Sequence, residues 1–205
     1  MPAPARSGIP KSMGVLLIVF ASIYMLSSLV AAAMTLLGGS FMDIIPKIGG
    51  SIPELKKSGI NLEALLGQLK PLYTIQGAEK LAVAAISGFG LMAGIKLSQY
   101  TEQGLRLAVM WALSALGYIV IEILVFIFFI QPIITKFFST ISKQVGPLLG
   151  KEKEAFDLVM GLAGSTGLGG VLVGAFFMAI FPVLMLVLLN TDAAKKACGV
   201  QKVFG

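Results

Sequence analysis

The chain predicts an all-α integral membrane protein. Four transmembrane helices are expected in an antiparallel bundle, with two outer loops of about 40 residues that carry short amphipathic helices. Three observations carry this. Hydrophobic residues make up 57% of the 205 residues and charged ones only 13%, too little polar surface to cover a water-soluble globule of that length. Apolar runs long enough to cross roughly 30 Å of hydrocarbon, about 20 helical residues, occur four times. The cations flank those runs instead of gathering in one patch. The net charge of +6 therefore reads as membrane flanks, and nucleic acid is not an expected partner.

The spans fall near 13–37, 79–97, 104–130 and 169–190, within a single membrane domain, 1–205, whose outer loops are 38–78 and 131–168. Arg6 and Lys11 precede the first run, and Ala31, Ala32 and Ala33 resemble a signal-peptide cleavage site. The apolar stretch is too long for that reading, so the run is expected to remain as a span. In the first loop, "PELKKSGINLEALLGQLKP" places Leu62, Leu65, Leu66 and Leu69 at helical spacing between Pro53 and Pro71, which predicts a short amphipathic helix.

The second span holds Gly90 and Gly94, whose spacing of four permits close backbone approach. "SQYTEQ" then makes a tight turn into the third span. Beyond that span, Ile133, Ile134, Phe137, Phe138, Ile141 and Val145 form an apolar face opposite Lys136, Ser139, Ser142 and Lys143. This segment either lies in the interface or extends the third helix past Pro132. Each amphipathic segment reads as a lid on the bundle's outer end or as a docking face. "GLAGSTGLGG" lacks the lysine and the preceding strand of a phosphate-cradling loop, and is expected either to turn the chain into the fourth helix or to re-enter the bundle's outer mouth. That helix carries Gly170 and Gly174, again four apart, and Pro182, which should bend it, either as a gate hinge or as passive curvature.

Orientation follows from the density of Lys and Arg at the span ends. One side carries Arg6, Lys11, Lys96, Arg106, Lys195, Lys196 and Lys202 in short segments. The other spreads its lysines through the two long loops among acids. The denser side should be cytoplasmic, which places both termini there.

One residue breaks the apolar pattern of the spans. Glu122 lies nine residues before Gln131, so at about 1.5 Å per residue it sits roughly 13 Å inside the outer end of the third span. Steps of three and four from it give Gly104, Ala108, Trp111, Ala115, Tyr118, Glu122, Val125 and Phe129, a seam of small and polar residues. Leu113, Val120 and Ile127 on the opposite side suit lipid. Glu122 should therefore face other helices, with Ala108 and Ala115 as packing positions and Tyr118 and Ser87 as polar neighbours. With no cation at that depth, the uncharged acid is favoured. It can serve as an interhelical clasp or as a proton or cation site.

There is no histidine, and Cys198 is the single cysteine. An intrachain disulfide is impossible, and no metal site or cofactor is expected. Without convergent catalytic groups, the chain reads as a noncatalytic structural or accessory subunit of a larger membrane assembly, and not as an enzyme. Its partners are membrane lipids and other subunits or further copies of itself. The alternative is a small transporter or channel element built around Glu122.

Overall fold

A computed structural model of the protein describes residues 7–49, 61–146 and 152–200, and every regular element among them is helical. Arg6, Pro53, Lys56, Lys57, Lys151 and Lys202 lie outside the described residues. The elements are α1 (Ile9–Gly49), α2 (Leu62–Gly67), α3 (Lys70–Ser98), α4 (Glu102–Val125), a π-helical turn (Phe126–Ile130), α5 (Gln131–Val145), α6 (Lys153–Leu189) and α7 (Asp192–Ala197). Four segments are long and apolar enough to cross a membrane: Ile9–Ser40, Glu63–Ser98, Glu102–Val145 and Gly167–Leu189.

Helices cover the four apolar runs and continue well past most of them, into residues expected to be loop. The prolines explain how. Pro71 is the second residue of α3, where a missing N–H costs nothing, so the helix begins at Lys70 and not at Glu79. Pro132 lacks the N–H that would bond Phe128. The chain absorbs this by widening to a π turn, in which the Gln131 N–H reaches the Phe126 carbonyl, and helix resumes as α5. Of the two alternatives for this segment, the extended third helix is the one observed. The glycine-rich stretch 161–170 is helical within α6, where it was expected to turn or re-enter. Its glycines weaken a helix by about 1 kcal/mol each relative to alanine. Where water is scarce, continuing the helix still satisfies every backbone group internally.

The described residues form two compact units. The first combines the chain up to Val30, Lys80–Val120 and Ala175 onward; the second combines Ala31–Glu79 and Ile121–Gly174.

In the first unit, Leu17, Ala93, Leu97, Ala108, Ala112, Met185 and Leu189 are almost entirely sequestered, and Trp111 and Cys198 join them. Two threonine-centred turns close its helices in the same way. At "SQYTEQ", Tyr100 adopts the left-handed conformation (φ 57°), and the Thr101 hydroxyl donates to the Lys96 carbonyl (2.9 Å) while accepting from the Gly104 N–H (3.0 Å). At the end of α6, the Thr191 hydroxyl donates to the Leu188 carbonyl (2.8 Å) and accepts from the Ala194 N–H (3.3 Å). Each threonine thus satisfies an orphan carbonyl of one helix and an orphan amide of the next.

The second unit is organised around Leu72 of α3 and Phe126 and Ile130 of the π turn, with Leu69, Ile75, Val125, Ile133, Ile134, Leu168 and Val171 against them. Asn61 caps α2 by accepting from the Ala64 N–H (2.9 Å). The α2 segment also bonds to α5: Gln68 Nε2 donates to Thr140 Oγ1 (3.2 Å) and the Asn61 N–H to Gln144 Oε1 (3.2 Å). The two amphipathic segments therefore lie against one another.

Many large apolar side chains stay exposed, among them Leu26, Met34, Phe128 and Phe176, each about two-thirds accessible. Exposed apolar side chains in such number within each unit suit lipid.

Candidate functional site

The packing positions are used unequally. A methyl group at Gly90 would come within 2.5 Å of Trp111 Nε1, and one at Gly94 within 2.9 Å of the Gly14 carbonyl. At Gly104 it would overlap the Lys96 and Leu97 backbone. Ala108 is fully buried and Ala115 half-buried. These small residues give α3 and α4 close contacts that larger ones would prevent. Gly170 and Gly174 differ: a methyl at either would meet nothing within 4 Å. Pro182 is buried, and α6 runs on through it to Leu189. The adjacent Phe181 stacks on Phe20 at 4.5 Å between centroids and meets Trp111 edge-on at 5.8 Å.

Glu122 is half-buried on α4 and belongs to the second unit. Half-buried Tyr118 and buried Ser87 belong to the first, whose interior also holds Ser28. The seam through Glu122 is well covered at Gly104, Ala108 and Trp111, half covered from Ala115 to Val125, and lost at Phe129, which is 58% exposed. The π turn is the cause. Its extra residue per turn rotates the inward face, so that Phe126 and Ile130 are buried in place of Phe129.

Sequence reasoning missed a second acid. The span assigned to 79–97 leaves Glu79 at its mouth beside Lys80, but α3 begins nine residues earlier and places Glu79 inside a candidate span. Within the second unit, Ile75 packs against the cluster that contains Phe126. Glu79 follows Ile75 by one helical turn and Glu122 precedes Phe126 by one, so each carboxyl-bearing residue lies one turn from a member of that cluster. Both are half-buried. The signal was available: Leu72, Ile75 and Glu79 already follow helical spacing in the sequence.

Among the described residues no three His, Cys, Asp or Glu side chains group as metal ligands. Cys198 is buried beyond α7, and burial pushes its thiol above the ordinary range, which makes it a poor nucleophile.

No family model, curated protein or solved structure matches this chain.

Proposed function

We propose that the chain is a noncatalytic four-helix membrane protein that acts as a structural or accessory subunit of a larger membrane assembly. Its spans run antiparallel, with both termini cytoplasmic. Pairings within the first unit support the antiparallel arrangement. Gly14 lies near Gly94 and Ser98, and Gly88 near Met25. Likewise Gly104 adjoins Lys96, and Gly90 adjoins Trp111. In each pair of helices, one member advances along the chain as the other recedes.

The contrast between glycines carries the subunit reading. Gly90, Gly94 and Gly104 are occupied within the chain, whereas Gly170 and Gly174 present an open helix surface beside exposed Val173 and Phe177. Small residues four apart are what a second helix needs for close approach inside a bilayer. Purification in mild detergent should bring down a stoichiometric membrane partner or a second copy, and Gly170→Leu with Gly174→Leu should release it while leaving the helices intact. A solitary monodisperse monomer from native membranes would contradict the reading.

A second reading rests on Glu79. A lone acid makes a poor proton relay, but two carboxyl groups, each one turn from a member of the same cluster, make a small transporter or channel element chemically workable, with Glu122 holding a proton or cation. Reconstituted Glu122→Gln decides here, because an amide keeps the shape and hydrogen bonding but cannot exchange a proton. A pH-dependent flux present in wild type and absent in this folded variant would favour transport. No flux in either would favour the subunit.

A further inference from the structure

Within the second unit, α5 and α6 part to leave a cleft of about 370 Å³, large enough for a small-molecule headgroup. One wall is a polar stripe of α5, formed by Gln131, Thr135, Ser139 and Ser142. The facing wall offers Asp157, which accepts a hydrogen bond from the Ser142 hydroxyl. Most of the cleft's surface is apolar, with Phe138 and Met160 among its lining residues. Among the described residues Asp157 is the one charged residue lining the cleft, and Lys136, Lys143 and Lys153 are not part of that lining.

The position of the cleft says which molecules reach it. Phe128 and Phe129, 67% and 58% exposed, are the last large lipid-facing residues of the third span, and the cleft begins at Gln131, two residues later. Its mouth therefore adjoins the level at which hydrocarbon gives way to headgroups. Moving outward, the lining changes from amide and hydroxyl groups at Gln131 and Thr135 to the carboxylate of Asp157. Neutral donors suit ester and phosphate oxygens, and a carboxylate suits a terminal ammonium. The order matches a phospholipid whose glycerol lies nearest the bilayer and whose amine lies farthest from it.

We infer that this cleft binds the headgroup of a membrane phospholipid bearing a primary amine, with the ammonium on Asp157 and Ser142 and the phosphodiester beside Gln131 and Thr135. The inference rests on the membrane reading of these helices but not on the subunit reading. A purely anionic headgroup would bring like charge to the carboxylate of Asp157. A trimethylated amine would carry the charge without an N–H to donate.

The test places the purified full chain in nanodiscs of phosphatidylcholine containing equal small fractions of phosphatidylethanolamine and phosphatidylglycerol, with retained lipid counted by native mass spectrometry. Phosphatidylethanolamine should be retained about tenfold over either competitor, equivalent to about 1.4 kcal/mol. Asp157→Asn should abolish that preference while circular dichroism and monodispersity stay unchanged. The competition among headgroups in wild type needs no variant, so a misfolded Asp157→Asn would leave the test intact. Equal retention of the three lipids, preference for phosphatidylglycerol, or a preference that survives Asp157→Asn would each overturn the inference. Equally tight binding of soluble phosphoethanolamine would overturn the lipid as its source. Release of the chain from membranes by alkaline carbonate would instead refute the membrane reading beneath it.

Discussion

Glycines in the two units touch different things. In the first unit three of them meet backbone: a methyl at Gly14 would lie 2.7 Å from the Ser98 nitrogen, and Gly94 and Gly104 also face main chain closely, while Gly90 meets the Trp111 ring. In the second unit the closest approaches among the described residues are to aromatic rings, at Gly38 beside the Tyr73 ring edge (3.2 Å) and at Gly167 beside the tip of Phe126 (3.0 Å), and no glycine there meets backbone as closely. A backbone cannot step aside without moving a helix, whereas a ring can turn. In a bilayer, helices gain little from burying apolar surface and depend on close fit. The first unit should therefore be held by contacts that tolerate no added atoms, and the second by contacts that can be repacked.

Graded substitutions test this difference. The largest effect is expected at Gly104 and Gly14, where alanine should cost about 3 kcal/mol or more, at the upper end of overpacking. The variants should fail to yield a monodisperse protein, or should unfold far earlier in a detergent thermal melt. Gly90→Ala comes next, at about 1–3 kcal/mol. Because Trp111 is the single tryptophan and contacts Gly90, its fluorescence should shift even where the fold survives. Wild-type emission from a stable Gly90→Ala protein would show that the close approach does not exist.

Smaller costs are expected where side chains meet. Thr140→Val removes the hydroxyl that accepts from Gln68 Nε2 and should cost about 0.5–1.5 kcal/mol. Faster hydrogen exchange should then be confined to α2 and the adjoining part of α5. Glu122→Leu should lose about 1 kcal/mol and Glu122→Gln less, since the amide keeps a donor and an acceptor. If the leucine variant is the more stable of the two, the clasp is refuted. Gly167→Ala needs only a small turn of the Phe126 ring and should stay below about 1 kcal/mol. A cost matching that of Gly104→Ala would erase the distinction between the units.

The spans were legible because uninterrupted apolar runs of bilayer length have few other uses. How far the helices extend was not. Pro71 and Pro132 read as boundaries, yet one sits where a helix tolerates proline and the other is absorbed by a π turn, and neither outcome is encoded in hydropathy. Glu122 stood out because every other residue from Ile119 to Ile130 is apolar. Glu79 did not, because Gln76 and Lys80 beside it gave the look of a polar flank. Which glycines would be occupied was also hidden, since GLMAG and GVLVG carry the same spacing and differ only in what the fold brings to them.

Beneath both functional readings lies a claim about membrane sidedness: four crossings, with the turn at Gln103 and the helices around Lys143 and Glu154 on opposite faces. Cys198 is buried, and burial raises its thiol above the ordinary range, so it is a poor reporter, and single cysteines should be introduced at Gln103, Lys143 and Glu154, all exposed positions. With a membrane-impermeant maleimide on intact cells, Lys143→Cys and Glu154→Cys should label at once, and Gln103→Cys only after permeabilisation. Labelling of all three from one side would contradict the four-span account, and the reverse pattern would invert its orientation.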